Sequence, residues 1–281
     1  MSTERQLIAF PYYGGKQKHV NDILPFLPKT EAYCEPFCGS AAILLNRHQT
    51  PIEILNDLNK SITNFFMVLR DRKKSKELLR LLDLTPYSRA EFDEAWNETG
   101  ESVEDARRFF IRSCMDIRRA GKRRDAGWSA VKSYKKNQFS YPPRNFNKKI
   151  DEKLPLVIER LKNVQIDNRP AIDVIQKFDS SQMLFYCDPP YLPSTRKSAN
   201  DYKFDMSFKD HEELAGILNR CKAKVVLSGY DADQMDELYP GWWKRKFKLR
   251  RLPMSQKGRK KQECLWFNFN PDEMYGQQTL I

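Results

Sequence analysis

Short apolar segments that read as strands alternate with helical patterns at both ends of this 281-residue chain, and that alternation limits the fold more than any other feature. AYCEPFCGS at 32–40 starts as a strand and opens into a turn, after which AAILLNR begins a helix. IEIL at 52–55 is a second strand, closed by Asn56 and Asp57; in the helix predicted over 59–70, Ile62, Phe65, Phe66 and Leu69 recur at spacings of three and four. Strand signals return with VQI at 164–166, MLFYC at 183–187, KVVLS at 224–228 and ECLWFNF at 263–269. Helical patterns fall between them at 173–178 and 209–221, the second opened by Ser207 as a cap with Asp210 three residues on. This order predicts an α/β fold with a mostly parallel, Rossmann-like sheet and helices on both faces. In such sheets ligands sit beyond the carboxyl ends of the strands.

From about residue 71 to 150 the strand signal disappears. Ser102 and Asp105 form a capping-box-like pair before ARRFFIRSCMDIRRA, a helix expected to pack Phe109, Phe110 and Cys114 inward and to turn its arginines outward. AGKRRDAGWSAVKSYKKN, with glycines at 121 and 127, reads as a loop or hairpin. The length allows a core domain plus a smaller one, and we expect residues 1–70 and 151–281 to form the first and residues 71–150 a separate helical lobe.

The formal charge of +12 becomes informative once it is located. Residues 107–149 hold 14 Lys or Arg against Asp116 and Asp125, which leaves 35 charges of each sign elsewhere. A concentrated block of this kind suits a protein that neutralises several phosphates; a solvated loop is the plain alternative. The runs KRKFKLRR from Lys244 and KGRKK from Lys257 point the same way.

Other classes are disfavoured. Six cysteines at 34, 38, 114, 187, 221 and 264 contain no C-x-x-C pair and are joined by only three histidines, which argues against a zinc site and a disulfide framework. We therefore expect no metal. No charge-free apolar run reaches the roughly 20 residues of a membrane helix, and MSTERQLIAF lacks the apolar centre of a signal peptide, so a soluble intracellular protein is expected. PYYGGK at 11–16 lacks the G-x-x-x-x-G-K spacing of a phosphate-binding loop.

Three strand-end turns carry candidate chemistry. EPFCGS places Glu35 at a strand end and Gly39 just after it, where a residue without a side chain either permits close approach of a ligand or makes a turn. Asp57 ends the next strand, in position to accept hydrogen bonds from a ribose or to cap the following helix. CDPPY is the sharpest feature: a strand delivers Asp188, and Pro189 and Pro190 stiffen the backbone and donate no hydrogen bonds. A carboxylate beside the Pro189 carbonyl makes two fixed acceptors, which suit an NH2 group on an aromatic ring. They favour a pyramidal nitrogen and free its lone pair for an electrophile. Tyr191 would stack on the ring.

CDPPY, with PYYGGK, EPFCGS and ILNDLN upstream, resembles the DNA adenine N6-methyltransferases of the Dam type, the alpha group of amino-methyltransferases. The likeness covers both ends of the chain and keeps the family's motif order. It implies a methyltransferase sheet with a target-recognition lobe, and S-adenosylmethionine as cofactor. It places Tyr12 and Lys16 near the cofactor, Glu35, Pro36, Phe37 and Gly39 around its methionine part, and Asp57 at its ribose hydroxyls. Asp188 would lie between cofactor and target amine, with Pro189, Pro190 and Tyr191 completing the catalytic motif. SGY at 228–230 and ECLWFNF resemble the family's closing strands. Two departures stand out. Ser40, Ala41 and Ala42 occupy the stretch where the family often has a second glycine, and Pro170 stands where an acid near the cofactor's adenine is expected, with Asp167 or Asn168 as substitutes.

The base must leave the duplex before Asp188 can reach its amine, at a cost of a few kcal/mol. Stacking on Tyr191 returns roughly 1–3 kcal/mol, and phosphate contacts from the basic lobe supply more. Arg112, Arg118, Arg119, Lys122, Arg123 and Arg124 are the candidate DNA contacts. The resulting expectation is a monomeric, cytoplasmic enzyme of a prokaryotic or phage-infected cell, part of a restriction-modification pair or independent of one. It would methylate adenine N6 in double-stranded DNA after base flipping. Cytosine N4 methylation, an RNA substrate, and a basic DNA-binding module without catalysis are the alternatives.

Overall fold

All five residues of MLFYC are buried. A strand apolar on successive residues is covered on both faces, which places it inside a sheet. The computed structural model describes residues 6–117, 126–130, 141–195, 205–247 and 262–273. Among these the strands are β1 (Ala32–Glu35), β2 (Ile52–Asn56), β3 (Val164–Asp167), β4 (Met183–Cys187), β5 (Lys224–Tyr230), β6 (Trp243–Lys246) and β7 (Glu263–Phe267). The helices are α1 (Val20–Ile23), α2 (Ala42–Asn46), α3 (Lys60–Arg70), α4 (Arg72–Asp83), α5 (Arg89–Glu94), α6 (Ser102–Met115), α7 (Pro142–Lys148), α8 (Leu154–Leu161), α9 (Ala171–Phe178), α10 (Phe208–Leu218) and α11 (Asp233–Leu238). None is long and apolar enough to cross a membrane.

The chain divides into two compact units. The first comprises Met1–Val20, Cys38–His48 and Asp57–Asn168; the second comprises Asn21–Phe37, Gln49–Asn56 and Arg169–Ile281.

In the second unit six strands are hydrogen-bonded in the order β2-β1-β4-β5-β7-β6. β1 pairs in parallel with β2 and β4, and β4 with β5, while β7 runs antiparallel to β5 and to β6. The sheet is therefore mostly parallel where the sequence alternates strand and helix, and antiparallel at its carboxyl-terminal edge. Met183, Phe185 and Cys187 of β4 share one cluster with Val174 and Ile175 of α9 and with Leu214 and Leu218 of α10. α10 begins as expected, with Ser207 and Asp210 closing a reciprocal capping box.

The first unit is built on aromatic rings. Phe10 is fully buried, its centroid 4.8 Å from Phe109 and 5.4 Å from Phe65, both near perpendicular. Phe65 stacks on Phe110 at 5.9 Å, and Phe110 meets Phe146 of α7 at 5.7 Å. The helical stretch 71–150 thus shares its core with α3 and with the amino-terminal segment. The boundary expected at residue 70 falls within this unit.

Several local expectations are corrected here. The cap of α6 is Glu101, whose carboxylate accepts from the Val103 and Glu104 amides. Ser102 is the first helical residue and accepts from Lys74 Nζ, and Asp105 reaches back to the amides of Thr99 and Gly100. Cys114 is only partly buried. The arginines of α6 do not simply face outward. Arg107 pairs with Glu104 and Glu91, and Arg108 with Glu104 and Glu94. Arg112 donates to the Ala95 carbonyl and lies over the Phe109 ring, and burial holds its pKa below the usual value. The run beginning at Lys244 is also reread. Its first residues form β6, where Lys244 and Lys246 pair with Asp231 and Arg245 with Asp272. Residues 248–261, which hold the rest of that run and KGRKK, lie outside the described residues.

The expected loop or hairpin after α6 opens as an antiparallel pairing. Ile117 donates to the Gly127 carbonyl and Ser129 to that of Met115, both at 2.8 Å, around a bridge between Asp116 and Trp128. Arg118, Arg119, Lys122, Arg123 and Arg124 lie outside the described residues.

Two predictions follow from this packing. Phe65→Ala should lower unfolding stability in urea by about 3–5 kcal/mol, as expected for removing a fully buried ring. Ala41 caps α2 with φ 52° and ψ 32°, a left-handed conformation that costs a residue with a Cβ roughly 1–2 kcal/mol. Ala41→Gly relieves that strain but adds roughly 0.5–1 kcal/mol of unfolded-chain entropy, so the same urea assay should show a net gain of up to about 1.5 kcal/mol.

Candidate active site

In the first unit the turn before α2 is held by Asp57. The Gly39 amide donates to Asp57 Oδ2 at 2.9 Å, and the Asn59 amide to Oδ1 at 2.8 Å. Gly39 has φ +47°, and a Cβ there would stand 3.1 Å from the Tyr12 ring. The backbone conformation and the approach of the Tyr12 ring thus both require glycine at this turn. Gly15 is equally confined, since a Cβ on it would meet Ser40 Oγ and the Tyr12 carbonyl at 3.2 Å. Tyr12, Gly39 and Asp57 are therefore brought together, while Lys16, directly after Gly15, is buried at the start of a short 3-10 turn.

Burial pushes the Asp57 carboxyl above its usual pKa, an effect opposed by the amides of Asn59 and Gly39. Asn168 donates its side-chain amide to the Asp57 carbonyl at 2.7 Å, and its own backbone amide donates to Asp167 Oδ1. The side-chain bond ties Asn168, one of the two residues considered for the adenine contact, to the backbone of Asp57.

In the second unit the parallel register sets Cys34 opposite both Ile54 and Phe185. β1 therefore ends between β2 and β4, where the chain's crossovers diverge to opposite sides, and ligands of open α/β sheets bind at such switch points. Glu35 is buried there and accepts from the Tyr33 hydroxyl at 2.8 Å. The Pro36 carbonyl accepts from Asn56 Nδ2 at 2.9 Å; the same amide donates to the Arg169 carbonyl, and Arg169 donates its amide back to Asn56 Oδ1. Phe37 packs against the apolar cluster under the sheet.

β4 delivers Asp188, partly exposed, to this edge; Pro189 behind it is buried and Pro190 partly so. Tyr191 is 8% exposed. Its hydroxyl is 3.2 Å from Ser228 Oγ, and its ring meets Tyr230 edge-on with centroids 4.5 Å apart. Pro189, Tyr191, Ser228 and Tyr230, with His211 of α10, line one small recess. Burial raises the Cys187 thiol well above its ordinary pKa, so this neighbour of Asp188 stays a neutral packing group. Ser228 and Tyr230 are functional candidates that sequence reasoning placed only within a closing strand; their alternation around Gly229 was the available signal. Among the described residues no group of three or more His, Cys, Asp or Glu is arranged to hold a metal ion.

Comparison with known proteins bears on what these turns do. The DNA N-6-adenine-methyltransferase of Escherichia phage P1 is 27% identical over 251 residues, covering 85% of this chain and 32% of the phage protein. This chain therefore spans about a third of that relative's length. A DNA adenine methylase of Vibrio cholerae serotype O1 is 25% identical over 85% of this chain and 86% of its own. One of Escherichia coli K12 is 24% identical over 88% and 89%. The profile of D12 class N6 adenine-specific DNA methyltransferases matches residues 12–251, which takes in the Tyr12, Gly39, Asp57 and Asp188 turns together, and the chain belongs to that family.

Proposed function

We propose that the methyl donor is S-adenosylmethionine and that Asp188, Pro189, Pro190 and Tyr191 carry the transfer to adenine N6 of a base flipped from duplex DNA. The observation that carries this reading is the strand order β2-β1-β4, which brings the Glu35–Pro36 turn and the CDPPY turn to one sheet edge.

The residues that the family likeness assigns to the cofactor are Tyr12, Lys16, Glu35, Pro36, Phe37, Gly39, Asp57 and Asp188. The donor set of Asp57 fits this role. Each of its oxygens already accepts one amide, which leaves a further lone pair on each for a ribose hydroxyl. When bound, the cofactor supplies a methyl group on a positively charged sulfur. The Asp188 carboxylate would accept one hydrogen of the target amine and the Pro189 carbonyl the other, favouring a pyramidal nitrogen whose lone pair could bond the methyl carbon as the carbon–sulfur bond breaks and the neutral thioether leaves. No nucleophile of the protein is consumed, and the amine's surplus proton leaves through the Asp188 side to water.

Residues 71–150 would supply target recognition, with Arg118, Arg119, Lys122, Arg123 and Arg124 as its DNA contacts. Arg112 is the weaker member of that set, since its guanidinium serves Ala95 and Phe109. The enzyme would act as a monomer in the cytoplasm of a bacterial or phage-infected cell, in keeping with the sources of its relatives.

Asp188→Ala should abolish transfer of labelled methyl groups to DNA while a duplex still binds with near wild-type affinity. Equal loss of both would make Asp188 a structural residue. A second test uses pH. Asp57's folded pKa lies above the ordinary 3.8, so its ionised form costs the fold stability that is fully present below that ordinary value and is lost as pH rises through the raised one. Hydroxyl donors of a bound ribose favour the ionised form. Cofactor affinity by calorimetry should therefore fall as pH drops from neutral toward the carboxylate range, and Asp57→Ala should bind weakly with no such dependence.

A further inference from the structure

The 35 positive and 35 negative charges outside residues 107–149 cancel in number but not in space. Along α3 and α4 of the first unit, Lys60, Arg70, Arg72, Lys73, Lys74 and Lys76 are all exposed, and none of the six forms an ion pair with a carboxylate among the described residues. Arg80, Arg107, Arg108, Lys244, Arg245 and Lys246 all do. Lys60, Arg70 and Lys74 line one open groove of about 400 Å3 between the helices, within the roughly 300–1,000 Å3 of ordinary ligand sites. The only acid lining it, Asp71, is occupied in capping α4 through the amides of Lys73 and Lys74.

Four of the six cations stand where helix electrostatics disfavours them. Lys60 opens α3, and Arg72, Lys73 and Lys74 open α4, with no acid in either first turn. The positive end of a helix dipole repels a cation placed there. Neither ion pairs nor the helices themselves account for these charges, whereas an external polyanion does.

We infer that the α3–α4 groove is a second DNA-backbone contact, separate from the 107–149 segment, in which Lys60, Arg70 and Lys74 neutralise phosphates. The claim rests on the chain's family reading as a DNA methyltransferase. The distance suits it. Asn64 of α3 donates to the Ser102 carbonyl at 2.9 Å and Lys74 to Ser102 Oγ at 3.0 Å, which ties the groove to the start of α6. The antiparallel pairing that leads into the basic run begins at the other end of that helix. Fourteen helical residues span about 21 Å, or about six base pairs at roughly 3.4 Å each. A duplex lying along α6 reaches both ends in little more than half a turn. The two contacts then fix its register without reading sequence.

The test is duplex binding by fluorescence anisotropy over a salt series, with wild type, the triple variant Lys60→Gln/Arg70→Gln/Lys74→Gln, and the charge-preserving Lys60→Arg/Arg70→Lys/Lys74→Arg. Each phosphate contact contributes about 0.9 to the slope of log affinity against log salt. The neutral variant should lose about two to three from that slope and show a KM for DNA raised at least tenfold, while the charge-preserving variant keeps both near wild type. The neutral variant's calorimetric affinity for S-adenosylhomocysteine should be unchanged, and it should melt no lower than wild type, since two of its three removed charges oppose helix dipoles. A wild type that binds and methylates DNA while the neutral variant keeps its slope and KM overturns the groove contact alone. A wild type with no salt-dependent DNA binding overturns the proposed function with it.

Discussion

A single buried amide, Asn56, fixes the edge of the second unit on which the Glu35 turn depends. It is fully buried, and its side chain makes three hydrogen bonds, two to the carbonyls of Pro36 and Arg169 and one from the Arg169 amide. Each such bond nets only about 0.5–1.5 kcal/mol, but an orphaned buried partner costs about 1–3 kcal/mol. The turn after β1, the end of β2 and the segment entering α9 are therefore locked as a set. Proline at 36 offers no amide of its own, so its carbonyl is the one backbone hydrogen-bonding group that this residue can contribute. In the first unit Asp57 does the equivalent work for the Gly39 turn, and its burial makes that arrangement responsive to whatever donates to the carboxylate.

How much of this was legible in the sequence depends on how local the cause is. α3 emerges from the spacing of Ile62, Phe65, Phe66 and Leu69, all fully buried, and the α10 cap from Ser207 and Asp210, because the interacting residues lie within one or two turns. β6 was not legible. Trp243–Lys246 is a strand made largely of cations, tolerable only because Asp231 and Asp272 come from distant segments to neutralise it. Asn56 could be read as a strand end but not as a staple, since its partners are 20 and 113 residues away. Glu101 displaced Ser102 as the α6 cap because a carboxylate one residue earlier can accept two amides at once. A positive φ at Ala41 shows that the turn keeps a left-handed backbone even though the family's second glycine is replaced there.

Charge bookkeeping failed in a more instructive way. Counting residues placed the whole excess in 107–149, yet Arg107 and Arg108 spend their charge on Glu104, Glu91 and Glu94, and Arg112 spends its donors on Ala95. Meanwhile α3 and α4, part of a remainder that this count scores as neutral, expose six cations with no acid paired to them among the described residues. The field a polyanion meets is set by which charges are neutralised within the fold, and composition cannot report that.

The placement of Tyr191 follows from the pleat of β5. Successive side chains of a strand alternate in direction, so Ser228 and Tyr230 share one face and Gly229 looks the other way. On the first face Ser228 meets the Tyr191 hydroxyl and Tyr230 its ring; on the other, a Cβ at position 229 would stand 3.1 Å from the Trp266 ring. Trp266 cannot easily yield, being 1% exposed and anchored through Nε1 to Asp236 at 2.9 Å. Any side chain at 229 would therefore displace β5 rather than the tryptophan, and would move Ser228 and Tyr230 with it. The stiffness of the CDPPY turn thus has two sources: prolines in its own backbone, and a glycine on the neighbouring strand that lets the supporting face sit close enough to hold the ring.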